Sequence, residues 1–277
     1  MKSSSLPGHD CAACPAAGQL EQMGIRLAEF DHLVALAGNP NTGKSSVFNA
    51  LTGLRQHVGN WPGKTVTRAE GGFSFAGVRY KLVDLPGTYS LLSASQDEEV
   101  ARNFILFGQP DCTVVVMDAT ALERNLNLAL QVAEITNKIV LCVNLMDEAR
   151  RKSIDVDVRT LARELGIPAV PTVARTGEGL HELVRTVAGV IHGDIPSEPR
   201  RRWRRNSALE AAADELTPMI EHVAPGLPCA RWVAYRLLDG DHRIRQALLS
   251  GELSTLVSRQ SAPVDRASRL ISLEGAQ

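Results

Sequence analysis

The eight residues Gly38 to Ser45, GNPNTGKS, leave few folds open. They carry the spacing glycine, four residues, Gly-Lys-Ser between a strand-length apolar run, Leu33 to Ala37, and a helical pattern, Ser46 to Leu51. Strand, glycine-rich turn, helix is the order of a phosphate-binding loop. Glycines let backbone N–H groups curl around phosphate oxygens, and the helix N-terminus adds partial positive charge. Lys44 is placed to bridge β- and γ-oxygens and Ser45 to ligate Mg2+, with Gly38, Asn39, Asn41, Thr42, Gly43 and Ser46 completing the cradle. The competing reading, a glycine-rich turn that only caps a helix, does not explain the strand before it.

Beyond the loop, apolar runs of strand length alternate with helical patterns. The runs are Leu33 to Ala37, Val78 to Leu85, Cys112 to Met117, Lys138 to Val143 and Ala169 to Val173, and the helices include Ala121 to Thr136 and Gly179 to Ile191. Such alternation predicts a mainly parallel sheet with helices on both faces. Phe73 and Phe75 alternate up to Ala76 and Gly77, and Val78, Tyr80 and Leu82 alternate away, so an antiparallel hairpin is expected at one edge. This makes the expected sheet six-stranded.

Two further motifs sit at strand ends. Asp84, followed by Leu-Pro-Gly, supplies the carboxylate that the metal needs, and Gly87 offers its N–H to the γ-phosphate. Asn144 to Asp147 (NLMD) follows a buried strand. The Asp147 carboxylate can accept both N–H groups on the Watson-Crick edge of guanine, a pair that adenine does not present, so GTP is the expected ligand. The stretch ARTG, from Ala174 through Arg175 to Gly177, is placed to bring a backbone amide to guanine O6.

The chain has 277 residues with 30 Lys+Arg against 31 Asp+Glu, a net charge of -1. A nucleic-acid-binding domain would carry a basic excess, so the nucleotide is expected in a pocket. No apolar run approaches the roughly 18 to 20 residues of a membrane span, and the odd cysteine count without a signal-like start predicts a reducing, cytosolic setting. Residues 1–30 read as a flexible extension, 31–193 as the α/β unit and 194–277 as a small helical domain, with helices at Ser207 to Val223, Ala230 to Leu238, Asp241 to Leu249 and Ala262 to Leu273. The run Arg200 to Arg205 around Trp203 reads as a solvated linker, with contact to anionic lipid as the alternative. His9, Cys11 and Cys14 form half of an iron or zinc site by spacing, whereas Cys112, Cys142 and Cys229 lie in apolar surroundings.

With these motifs in this order, the chain resembles the translation-factor-like GTPases and, among them, the N-terminal cytosolic part of the FeoB ferrous iron transporters. The narrower resemblance is carried by GNPNTGKS, by VGNWPGKTV at Val58 to Val66, by DLPGTYSL at Asp84 to Leu91, by NLMD, and by RWVAYRLLDGD at Arg231 to Asp241. It implies a Ras-like G domain coupled through a helical domain to a polytopic membrane portion, with a small cytosolic accessory protein as a further partner. In the full-length protein it implies the cytoplasmic face of a bacterial inner membrane. It also implies that Thr65 closes on Mg2+ and the γ-phosphate, in preference to Thr67, and that Asn41 ligates K+ together with the carbonyls of Gly59 and Trp61. A cation there would do the work of an arginine finger.

Trp61, flanked by Asn and Pro-Gly, is expected in an exposed loop. Thr88 stands where Ras-type enzymes use a glutamine to orient water, so hydrolysis is expected at roughly 10⁻⁴ to 10⁻² s⁻¹. A soluble cation-activated GTPase of ribosome assembly or tRNA modification is the alternative reading. A metal-sensing module built on the Cys11 and Cys14 pair is a third.

Overall fold

Strand β1 (His32–Gly38) is buried from Leu33 onward and lies between two parallel neighbours, β4 (Val78–Asp84) and β5 (Cys112–Asp118). A continuous apolar run is what a strand covered on both faces requires. In this computed structural model, which describes residues 20, 23–25, 27, 29–53, 56–92, 95–200, 207–251 and 253, the sheet continues through β6 (Ile139–Asn144) to β7 (Ala169–Pro171) on one side. On the other it continues through β3 (Thr67–Phe75) to β2 (Gln56–Asn60). The order is β2-β3-β4-β1-β5-β6-β7. The β2–β3 and β3–β4 pairs are antiparallel and the rest parallel.

The six expected strands are present, and the sheet has seven. The seventh, β2, pairs Asn60 with Thr67 and Gly59 with Arg68. It has no apolar face to announce it: His57 through Asn60 are all exposed, and backbone bonds to a lengthened β3 make the strand. The hairpin from β3 to β4 turns at Ala76 (φ 50°) and Gly77 (φ 83°), the paired left-handed geometry that matches strand twist in a two-residue loop.

Alternate residues of β1 feed opposite layers. Leu33, Ala35 and Ala37 join α2 (Gln96–Gly108) and α3 (Leu122–Ile135), while Val34 and Leu36 join α1 (Lys44–Thr52) and α6 (Leu180–His192). The sheet edge near β7 carries α4 (Met146–Arg151) and α5 (Val158–Leu165). After α6 the chain stays on this unit, with Ser197 Oγ donating to the Ile139 carbonyl (3.0 Å) and the Arg200 amide to that of Leu165 (2.8 Å).

Three expected helices follow as α7 (Ser207–Val223), α8 (Ala230–Leu238) and α9 (His242–Leu249). Their buried residues, among them Ile220, Trp232, Val233 and Ile244, share one apolar cluster with α2, α3 and that face of the sheet. Cys229 Sγ reaches the Ile135 carbonyl at 3.1 Å across this junction. The His9, Cys11 and Cys14 cluster, Arg201 to Arg205 and the expected helix at 262–273 lie outside the described residues. Among the described residues no helix is long and apolar enough to cross a membrane.

Candidate nucleotide site

All the motif loops emerge at the carboxyl ends of parallel strands, where an α/β sheet presents ligands. The loop after β1 is shaped by two left-handed residues, Asn41 (φ 66°) and Gly43 (φ 78°). At Gly43 a side chain is excluded outright, since a Cβ would lie 2.4 Å from Asn144 Nδ2. Asn39 is buried and its Nδ2 donates to the Arg124 carbonyl at 3.3 Å, while Thr42 Oγ1 donates to the Asn39 carbonyl at 2.9 Å. The loop is thus braced from behind, and Asn41, Ser45 and Ser46 face outward, exposed.

Lys44 Nζ contacts Asp84 Oδ1 and donates to the Leu85 carbonyl at 2.6 Å. Burial pushes the Asp84 carboxyl upward, and the Lys44 ammonium beside it pulls the other way without cancelling the rise. The Asp84 oxygens and the hydroxyl of Ser45, the next residue on α1, are the hard oxygen donors that Mg2+ takes. Gly87 lies against Pro40, and the Thr88 amide donates to the Gly38 carbonyl at 3.2 Å, so the DLPG turn rests on the phosphate loop. Thr88 itself is buried with Oγ1 on the Ser90 carbonyl (2.5 Å) and offers nothing to orient water.

The base end is built around Asn144. Its Nδ2 donates to the Thr42 carbonyl at 3.0 Å, and its Oδ1 accepts from the Ala174 amide (3.0 Å) and from Thr172 Oγ1 (3.3 Å). The Ala174 amide is therefore engaged inside the protein, which leaves the amide expected at guanine O6 to a later residue of ARTG. Arg175, the next residue, has an amide with no partner among the described residues. A cavity of about 520 Å3 opens here between Ser46, Asn144, Asp147 and Arg175. Arg175 Nη2 holds Asp147 Oδ2 at 3.3 Å, and Asp147 Oδ1 is buried with no partner among the described residues. Burial works against ionising Asp147, but the Arg175 hydrogen bond to Oδ2 and the dipoles of the neighbouring Glu148 and Asp147 amides outweigh it and hold the carboxyl below the usual aspartate range.

The segment expected to close over the phosphates is engaged by other partners. Thr65 is exposed, with Oγ1 3.5 Å from Gln96 Oε1, and Thr67 opens β3. Gly59 is in the β2 ladder, and the Trp61 carbonyl accepts from the Lys64 amide at 3.0 Å. Trp61 is buried, contrary to the exposed loop that its flanking Asn and Pro-Gly predict. It is 4% exposed, edge-on to Phe104 of α2, with the Arg68 guanidinium 5.5 Å from its ring. Pro62 and Gly63 do make the turn, and the ring folds back beneath it. Among the described residues no group of three or more His, Cys, Asp or Glu side chains could hold a metal ion.

Residues 32–187 match the family model described as ferrous iron transport protein B. The chain is 40% identical over 217 residues to an Fe(2+) transport protein A/Fe(2+) transporter FeoB fusion protein of Porphyromonas gingivalis, covering 77% of this chain and 26% of that protein. It is 37% identical over 234 residues to the Fe(2+) transporter FeoB of Escherichia coli K12, covering 80% of this chain and 28% of that protein. It thus spans about a quarter of the length of these curated relatives. Among solved structures, the cytosolic domain of the T. maritima FeoB iron transporter in a GDP form superposes with a TM-score of 0.72 at 33% identity, covering 82% of this chain and 92% of that one. The FeoB G domain from Methanococcus jannaschii superposes with a TM-score of 0.52 at 43% identity, covering 58% and 97%.

Proposed function

This chain belongs to the FeoB family as a GTP-binding, GTP-hydrolysing G domain with a helical portion, and from that premise we propose that it is the nucleotide-operated unit of a ferrous iron transporter. The observation that carries the guanine reading is Asp147 Oδ1, a buried acceptor lacking a partner among the described residues, at the wall of a base-sized cavity. Guanine N–H groups supply what it lacks. The soluble GTPase of ribosome assembly or tRNA modification is not favoured, since the family match and the FeoB structures cover most of this chain.

In this reading Lys44 exchanges its Asp84 contact for the β- and γ-oxygens. The freed Asp84, with Ser45 and Thr65, would hold Mg2+, whose charge would offset that of the phosphates. Gly87 donates its amide to the γ-phosphate and Arg175 its amide to guanine O6. Asn41, whose side chain is exposed and makes no hydrogen bond among the described residues, would hold K+ together with the carbonyls of Gly59 and Trp61, and the ion would supply positive charge beside the phosphates. Thr88, turned to the Ser90 carbonyl, does not align water from the position after the DLPG glycine, which supports slow hydrolysis. The partner is a membrane portion of the same transporter, with an accessory protein of the kind fused in the P. gingivalis relative.

Initial GTPase rates in KCl and NaCl test the cation part. Wild type is expected to be several-fold faster in K+, and Asn41→Ala to lose that difference while still binding nucleotide. Equal rates in the two salts rule out the K+ role and leave hydrolysis with Mg2+ alone.

A further inference from the structure

Glu99, on the first turn of α2, is 8% exposed, and its carboxylate is shared by cations from two distant segments. Lys64 Nζ lies 3.1 Å from both of its oxygens, and Arg243 Nη2, from α9, lies 3.1 Å from Oε2. The anion is the enclosed member, for the side chains of Lys64 and Arg243 are 32% and 61% exposed. A buried carboxylate left without any cation is costly, whereas either cation can leave for water at little cost. The two therefore compete for one partner, and loss of one strengthens the hold of the other.

Lys64 immediately precedes Thr65. Its amide closes a tight turn on the Trp61 carbonyl, and the Trp61 amide is bonded to the Val66 carbonyl at 2.9 Å, so the tip 62–65 is rooted at Trp61 and pinned at Lys64. For Thr65 to reach a metal beside Asp84, Lys64 must let go of Glu99. We propose that Glu99 is a positioning residue that restrains Thr65 through Lys64, and that release of Lys64 hands the carboxylate to Arg243, tightening α9 onto α2 when the loop closes. The proposal rests on the reading of Thr65 as the closing threonine. It gives the helical portion a direct electrostatic report of where the loop is.

The test is steady-state GTP hydrolysis by the whole chain carrying Lys64→Met, Arg243→Met, both, or Glu99→Gln, with thermal unfolding as a check on folding. Freed of its restraint, Lys64→Met is expected to raise kcat about two- to five-fold, the range a partly exposed ion pair supports, with KM little changed. Arg243→Met leaves Glu99 to Lys64 alone and is expected to lower kcat, but to have no effect on top of Lys64→Met or Glu99→Gln. Hydrogen exchange in α9 is expected to slow when wild type exchanges GDP for a non-hydrolysable GTP analogue, and to be insensitive to nucleotide in Glu99→Gln, whose carboxamide fills the same space without the charge. An Arg243→Met effect that is the same in all backgrounds, or α9 exchange that still follows nucleotide in Glu99→Gln, overturns the proposal. Thr65→Ala separates the two ideas: hydrolysis unchanged by that substitution removes the premise about Thr65, whereas hydrolysis lost there with the charge variants inert removes only the role of Glu99.

Discussion

The Trp61 indole stands edge-on to the Phe104 ring, centroids 5.5 Å apart and planes at 66°, so the loop after β2 is anchored in the middle of α2. Truncating a buried tryptophan costs about 3 to 5 kcal/mol. Trp61→Ala is expected to lose stability in that range in urea unfolding, and Trp61→Phe to recover more than half of it. A loss below about 1 kcal/mol for the alanine variant is the result expected of an exposed ring instead.

Lys44→Ala removes both the side-chain charge for the phosphates and the cation beside Asp84. Calorimetry with GDP and GTP is expected to show no tight binding. Affinity equal to wild type contradicts the phosphate-loop assignment.

Asp147→Asn replaces an acceptor for two guanine N–H groups with an amide that accepts one and presents a donor to the other. A bidentate pair of this kind is worth about 1 to 3 kcal/mol, so GTP is expected to bind about ten- to a hundredfold more weakly, with the preference over ATP narrowed. Competition binding measures both. Because the hydrogen bonds around Asp147 hold its pKa down, its contribution to GTP affinity is present above the usual aspartate range and is lost only as pH falls through a lower value.

Cys112 and Cys142 are fully buried, and burial raises both thiols, that of Cys142 from 9.0 to about 12. A raised folded pKa contributes stability that is complete below the unfolded value and is lost as pH climbs toward the folded one. The Cys112→Ala/Cys142→Ala variant is therefore expected to lose less stability than wild type between about pH 8.5 and pH 10.5 in denaturant titrations. Equal slopes in that window place the thiols in solvent. In the native wild type at pH 8, both are also expected to resist a thiol reagent.

Much of this architecture can be read from residues alone because burial on two faces writes continuous apolar strands, as in β1, β5 and β6, and burial on one face writes the helical period of α3 and α6. Helix α2 is harder, since most of its residues from Val100 to Gly108 are buried and no polar stripe marks it. Its signal is at its start, where Ser95 Oγ accepts from the Glu98 amide at 3.2 Å in a Ser-x-x-Glu cap. Strand β2 leaves no side-chain signal because backbone pairing alone defines it. The phosphate and base motifs were legible because each is local, whereas the burial of Trp61 under Phe104 and the meeting of Glu99 with Arg243, 144 residues on, depend on tertiary structure. The engagement of the Ala174 amide by Asn144 was hidden for the same reason.

The single carboxamide of Asn144 laces the phosphate loop, through Thr42, to the base-side loop, through Ala174, and is 1% exposed. Those two walls cannot part without stranding a buried amide, so the cradle is a vice with one fixed jaw. Movement that admits or releases a nucleotide is then left to the opposite jaw, the loop after β2, which leans on α2 through Trp61 and Lys64.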